Sequence, residues 1–423
     1  MVACVNHRLA RAALRPLLRR IRGGRIEVIE GARRSGFGAP RAELRATVKI
    51  RDPAAWSAPL RGSLGLGEAY VAGHWETDDL VALIRIAARQ LGGHGRLGAQ
   101  VGRARGWAHR LRRLVPANTR IGARRHIAAH YDLGNELFAA FLDPRMVYSC
   151  AYFPHPGAGL EQAQLAKLER ICRRLRLRSD DHLLEIGSGW GGLAIHAASE
   201  HGCRVTTTTI SAAQHALATR RVREAGVEDR VTVLLEDYRD LRGSYDKLVS
   251  VEMIEAVGWQ YFRRFFRRCS DLLAPDGLML LQAITIDDRL YESEKAARSF
   301  ANIHIFPGGC LPSAGLIARC IATETDMRPL WLEDLTAHYP LTLAAWGERF
   351  LAAWERLSRL GFDERFKRLW LFYLSSSEAG FRERRLGDIQ ALYAKPAWRG
   401  DDLDSGSAAK GTAASPRLAS ALS

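Results

Sequence analysis

Leu183–Gly192 reads LLEIGSGWGG, a short apolar run closed by a carboxylate and then by a glycine-rich turn. Gly187, Gly189 and Gly192 permit a tight bend and a close approach of backbone to a ligand, and the residues after them read as a helix. Nicotinamide, flavin and S-adenosylmethionine binders all use such a turn after a strand. Glu185 argues between them. A carboxylate there repels a dinucleotide's pyrophosphate, but suits the ammonium and sulfonium of S-adenosylmethionine. The next strand, Arg204–Thr209, runs into TTTTIS and offers no Asp or Glu to hold a dinucleotide ribose. These residues favour S-adenosylmethionine, with a dinucleotide as the alternative.

The elements that must position this turn follow from the spacing of apolar runs. Strands at 182–186, 204–209, 231–236, 246–251 and 278–285, with helices at 191–200 and 211–225, have the rhythm of repeated β–α units around a parallel sheet. An aromatic, Gly- and Pro-bearing insert over 286–316 is expected to cover the carboxyl ends of the strands, where such sheets bind ligands. Helices fill most of 338–385, and 388–396 reads as a last strand. Upstream, RIEVIE and LRATVKI read as two short strands in a hairpin-like pair, followed by a glycine-broken loop and by a helix starting at Thr77–Asp79. Residues 85–125 hold eleven arginines and no acid, the pattern of a linker or a basic surface. A second unit opens near His126, and the tail beyond Trp398 is low in complexity.

The chain has 423 residues, a formal charge of +16 and a pI near 9.9, which fits an acidic partner such as anionic lipid or nucleic acid. Seven cysteines without any CxxC pair argue against a disulfide framework and a zinc site, and point to a reducing cytoplasm. No apolar run is long enough to span a bilayer. Residues 1–26 contain no acid and carry Arg8, Arg11, Arg15, Arg19 and Arg22 at helical spacing, either as an interfacial helix or as a basic, solvated one.

Nine strings then occur in order: GLGEAYVAGHWE, HYDLGNELF, YSCAYF, LLEIGSGWGG, TISAAQ, EDYRDL, SVEMIEAVG, FPGGCLPS and HYPLTLAAW. Together they resemble the cyclopropane-fatty-acyl-phospholipid synthases, which act with S-adenosylmethionine on olefins of lipid acyl chains. The resemblance implies an α/β fold, a Rossmann-like class I methyltransferase with a mostly parallel seven-stranded sheet. A small mixed α/β domain with its linker (1–125) would precede the catalytic domain (126–396), and a disordered tail (397–423) would follow. It implies a peripheral cytoplasmic enzyme acting on unsaturated phospholipid at a membrane surface, and suggests self-association as a homodimer. A nucleic-acid methyltransferase stays as an alternative on the cofactor turn and the +16 charge, although no NPPY-type string is present and nucleic acid is not the expected partner.

Position by position, the resemblance places Tyr148, Ser149, Gly187, Gly189, Thr209, Gln214, Asp237 and Tyr238 around S-adenosylmethionine. It assigns bicarbonate as general base, held by Cys150, Glu255, Gln282, Ile284 and Tyr339, and no metal. Methyl transfer to a double bond leaves a carbocation, and closing a three-membered ring requires a base to remove a proton from the delivered methyl. Tyr148, Tyr152, Phe153 and Phe306 would supply ring faces to the cation. The chain departs from the frequent pattern at LLQAI, where many members have LLHTI, and at Ala256. Gln282 therefore cannot carry a proton as a histidine would, which brings a methyl- or methylene-branched product into view beside the cyclopropane.

Overall fold

A computed structural model describes residues 7–92, 134–295 and 297–400. The basic segment 93–125, the start of the expected second unit at His126, and the tail from 401 lie outside the described residues.

The leading region builds a four-stranded sheet in the order β2-β1-β3-β4 from β1 (Arg25–Glu30), β2 (Arg33–Gly38), β3 (Arg45–Ile50) and β4 (Trp75–Thr77). This corrects the hairpin reading. RIEVIE pairs antiparallel with β2, which lies in the segment between the two expected strands, and runs parallel to LRATVKI, with Val28 opposite Val48. Helix α1 (His7–Arg19) packs toward this sheet through Ala10, Leu14 and Leu18, while Arg11 pairs with Glu30 and stands over the Trp56 ring. Its apolar side is thus largely covered by its own chain, although Leu9 and Leu17 stay exposed.

The expected glycine-broken loop is instead helix α2 (Gly62–Val71). Glycine is disfavoured in helices, yet a Cβ on Gly67 would lie 2.4 Å from the Phe300 ring and 2.6 Å from that of Phe372. The glycines mark close packing, not a break. Helix α3 (Leu80–Gly92) follows as expected, and its Arg85 and Arg89 both pair with Glu383, tying the leading sheet's helices to the far end of the chain.

Between the two sheets' sequences lie α4 (Asn135–Phe141) and α5 (Leu160–Arg174). The main sheet then has seven strands in the order β10-β11-β9-β8-β5-β6-β7. They are β5 (His182–Ile186), β6 (Arg204–Thr209), β7 (Val231–Leu235), β8 (Tyr245–Val251), β9 (Leu273–Ile286), β10 (Arg328–Asp334) and β11 (Leu386–Ala394). Strands β7 through β9 are parallel, and β11 runs antiparallel to both β9 and β10. Strand β10, with only Leu330 and Trp331 packed against the core, is not among the strands expected from the sequence. The central strands are buried on both faces, hence continuous apolar runs such as LMLL in β9.

Helices α6 (Gly192–His201), α7 (Ala212–Glu224) and α8 (Phe262–Leu272) make the crossovers, and the insert forms short helices α9 (Asp288–Glu294) and α10 (Phe300–His304) before α11 (Ala314–Glu324). Helices α12 (Tyr339–Ala352), α13 (Trp354–Arg359) and α14 (Glu364–Arg382) complete the chain before β11. Trp346, Trp370, Phe138, Phe141 and Phe350 form one aromatic core between α4, α12 and α14. Among the described residues no helix is long and apolar enough to cross a membrane, and the described cysteines are buried and free.

Candidate functional site

The parallel strands end on one side of the sheet, where β5 delivers the glycine turn. Gly187 and Gly189 take φ of +104° and +49°, which L residues rarely adopt. The N–H groups of Gly187 and Ser188 donate to the Thr208 carbonyl, which fastens the turn to β6. A Cβ on Gly189 would meet nothing within 4 Å, so the turn has open space beside it, next to the N-terminus of α6. Asp143 accepts from the N–H of Val147, and Arg221 donates to the carbonyls of Arg145 and Trp190, which joins the turn to the segment carrying Tyr148.

Glu185 is buried at the end of β5 and accepts from Thr207 at 2.5 Å. Burial pushes its carboxyl up to about 8. An arriving cation would favour its ionised form, which fits the amino-acid end of S-adenosylmethionine. Thr209 donates to Gln214 Oε1 at 2.8 Å, and Ser211 caps α7, so these residues hold one polar corner at the end of β6. Asp237 follows β7, but its carboxylate is gripped by the Arg239 side chain through both oxygens, and any adenine contact must share it. Tyr238 stands edge-on to Phe265. Ser149 differs most from expectation. Its hydroxyl accepts from the fully buried Lys167 at 2.7 Å and its carbonyl accepts from Gln164, so it faces the interior. The Tyr148 hydroxyl meets that of Tyr373 at 2.9 Å, with Phe306 edge-on to Tyr373. Tyr152 and Phe153 lie instead against His338, so the expected aromatic set divides into two groups.

The expected catalytic residues do converge, but on a residue outside the expected set. Glu252, directly after β8, has φ of +47° and donates its N–H to the Gln282 carbonyl. Its Oε1 accepts from the Cys150 N–H at 2.8 Å and from Gln282 Nε2 at 2.8 Å. Its Oε2 accepts from the Tyr339 hydroxyl at 2.6 Å. Glu255 takes the Ile284 N–H on Oε1 at 2.5 Å, and among the described residues its buried Oε2 has no partner. Burial, reinforced by Glu252, pushes Glu255 up to about 8, so it is a neutral carboxyl near pH 7.

Gln282 is oriented from behind. Gln390, its register partner on β11, donates to Gln282 Oε1 at 3.0 Å and in turn accepts from Arg170. The Gln282 amide nitrogen therefore points at Glu252 and at the buried Asp388, 3.0 Å away. Burial, together with the neighbouring Glu252 and Glu255, holds Asp388 well above the ordinary carboxylate range. Burial also raises Glu252, but against it stand the bonds from Tyr339 and Cys150 and the charge of Lys167. With three donors on its two oxygens, Glu252 is the better placed of the two to carry the negative charge. The Cys150 thiol is raised well above its usual range by burial and so stays protonated, leaving its main-chain N–H to do the bonding.

The donors that the resemblance gives to bicarbonate, Cys150, Gln282 and Tyr339, are thus engaged by Glu252, while Ile284 is engaged by Glu255. As folded, this set does not fit an added bicarbonate. The one sequence signal for this was the acidic residue opening EMIEAVG, overshadowed by Glu255 three places on. The insert closes over the same ground, since the Cys310 N–H donates to the Glu255 carbonyl at 2.8 Å. Elsewhere, Cys172, His196 and His201 bring possible ligand atoms within 4.8 Å of one another, with Glu169 bonded to both imidazoles, a grouping that the absence of CxxC did not foreshadow.

Comparison with known proteins agrees with this architecture. The family described as mycolic acid cyclopropane synthetase matches residues 118–391. A tuberculostearic acid methyltransferase of Mycobacterium tuberculosis is 40% identical over 340 residues, 78% of each chain. A cyclopropane-fatty-acyl-phospholipid synthase of Escherichia coli is 38% identical over 356 residues, 83% of this chain and 88% of its own. The crystal structure of a mycolic acid cyclopropane synthase complexed with SAH and CTAB superposes with a TM-score of 0.60 at 30% identity, covering 64% of this chain and 98% of that one.

Proposed function

Since the chain belongs to the mycolic acid cyclopropane synthetase family of S-adenosylmethionine-dependent methyltransferases, we propose that it adds the methyl carbon of S-adenosylmethionine to the cis double bond of an unsaturated phospholipid acyl chain and closes a cyclopropane. The observation that carries this reading is the adjacency of reagent and base. The glycine turn leaves β5 and Glu252 leaves β8, parallel neighbours in the sheet, so a methyl donor and a proton acceptor share one end of it.

S-adenosylmethionine supplies the electrophilic methyl. The chain's own residues orient it, with Glu185 and the open turn at Gly189 at its amino-acid end and Thr209, Gln214 and Asp237 along its ribose and adenine. Tyr148, Tyr373 and Phe306 line the approach with aromatic rings, which favour a cation, and the covering insert excludes water that would quench it. Trp259 and Phe306 are exposed large side chains on segments joined by the Cys310 to Glu255 bond, and Lys295 lies 5.2 Å from the Trp259 ring. Such a surface suits an anionic lipid headgroup region, and supports a peripheral enzyme on the cytoplasmic side. We read residues 1–125 as a small basic domain and 126–396 as the catalytic one.

A second reading ends in a methylene- or methyl-branched chain, and two observations favour it: Gln282 in the histidine position and the identity to a tuberculostearic acid methyltransferase. Purified protein, labelled cofactor and unsaturated phospholipid vesicles should give acyl chains heavier by one methylene unit in mass spectra. Cyclopropane proton resonances then support the first reading and olefinic methylene resonances the second, while unaltered lipid rejects both.

A further inference from the structure

We propose that Glu252 is the general base of this enzyme, an internal carboxylate standing where the resemblance places a bicarbonate ion. The inference rests on the proposed methyl transfer and concerns which group takes the proton.

Three donors from three separate segments meet on this one carboxylate: a main-chain N–H at Cys150, an amide at Gln282 and a phenol at Tyr339. Such a constellation recognises an anion, and both Glu252 oxygens are inside it. The Gln390 bond fixes the Gln282 amide so that it presents N–H groups, not its carbonyl, to the site. The backbone holds Glu252 in the left-handed region, a conformation unfavourable for a residue with a Cβ. Strain of this kind persists where the surroundings require a side chain at that point. A glycine would take that backbone freely, and would leave the donors around an empty space.

The reaction balances without a bound anion. The sulfonium C–S bond breaks as a C–C bond forms to one olefinic carbon, releasing S-adenosylhomocysteine and placing the positive charge on the other carbon. A Glu252 oxygen then removes a proton from the new methyl, and the C–H electron pair closes the ring. The neutral Glu252 carboxyl returns its proton to water before the next turnover. Glu255, already neutral, does not compete for this proton. It keeps the Ile284 N–H and leaves Glu252 as the ionised member of the pair.

The test uses the full chain with S-adenosylmethionine and vesicles of dioleoyl phosphatidylglycerol, in buffer purged of carbon dioxide or supplied with bicarbonate. Wild-type turnover is expected to be the same in both. Glu252→Gln should lose about 10²–10⁴-fold in turnover, the usual worth of a positioned base, with S-adenosylmethionine affinity little changed. Glu252→Gly should be slow in purged buffer and recover about tenfold or more with bicarbonate, acting as an external base in the vacated space. A binding measurement independent of turnover accompanies this. Carbon NMR of labelled bicarbonate should show binding to Glu252→Gly and none to wild type. A wild type that slows without bicarbonate or binds it, or a Glu252→Gln variant at full rate, overturns the inference while leaving the methyl transfer intact. A wild type that binds the cofactor but transfers nothing to lipid rejects the function instead, and the NMR comparison still decides whether Glu252 fills the anion site.

Discussion

The Tyr339 hydroxyl donates to Glu252 Oε2 at 2.6 Å while the Tyr339 ring lies flat on Phe381, centroids 4.1 Å apart. The ring stacking fixes the phenol, and the phenol favours the ionised form of the carboxylate. Tyr339→Phe keeps the stacking and removes the donor. We predict a fall in turnover of about 10-fold or more, the size expected for one charge-assisted hydrogen bond, with S-adenosylmethionine affinity nearly unchanged. Because that bond lowers the pKa of Glu252, its loss should also move the acid limb of the pH–rate profile upward. Steady-state kinetics across pH check both, and an unmoved limb counts against Glu252 as the group titrating in that limb.

Gln282 stands between two buried carboxyls and a second glutamine. Gln282→Leu has a similar volume but leaves Glu252 short of a donor and the Gln390 amide nitrogen without its acceptor. The expected cost is about 2–4 kcal/mol of stability, the range for breaking a buried polar network, read as a lowered denaturation midpoint. A midpoint within error of wild type would mean that the network tolerates the loss.

The two turn glycines should behave differently. A Cβ at Gly187 would lie 3.0 Å from Met253 Cγ at a φ of +104°, whereas one at Gly189 would meet open space at +49°. Gly187→Ala is therefore expected to destabilise the fold as well as weaken cofactor binding. Gly189→Ala should cost only about 1 kcal/mol of stability while filling the space beside the ligand. Calorimetric titration with S-adenosylhomocysteine, next to melting curves, separates the two, and equal losses of stability would refute the distinction.

Glu185 gives a pH dependence with a definite sign. Its folded pKa of about 8 lies above its unfolded value, so the folded state holds a proton that the unfolded chain has lost through most of the range between. Its contribution is complete below the unfolded pKa and declines as pH rises toward about 8, on the order of a few kcal/mol. Apo-protein melting temperature should fall over that window, and Glu185→Gln should flatten the trend. Binding of the cationic cofactor should release a proton near pH 7, detectable as a buffer-dependent heat, and the same variant should abolish that release.

The parallel sheet was legible in the sequence because its central strands are buried on both faces and therefore largely apolar, and the glycine turn because its backbone angles need glycine. The leading sheet was half legible. The strand over 33–38 carries Arg, Ser and Gly, which have no alternating apolar face, so it read as a connector. The helix over 62–71 holds several glycines, of which Gly67 packs against Phe300 and Phe372, and so read as a loop. Cys150, Glu255, Gln282, Ile284 and Tyr339 were each identified by residue type and string, yet which of them touch one another was not.

By itself the sequence determined the reagent and the sheet that holds it, since periodicity and glycine placement are local properties of the chain. Only the tertiary structure decided which carboxyl the site's donors surround. Glu252 and Glu255 lie three residues apart and differ little in local sequence, and both are buried. Donors from Cys150, Gln282 and Tyr339, far away along the chain, converge on Glu252, whereas Glu255 receives one from Ile284 and stays neutral. In a desolvated site it is the number of such donors that determines which carboxyl ionises, and that number depends on contacts which exist only once the strands are paired.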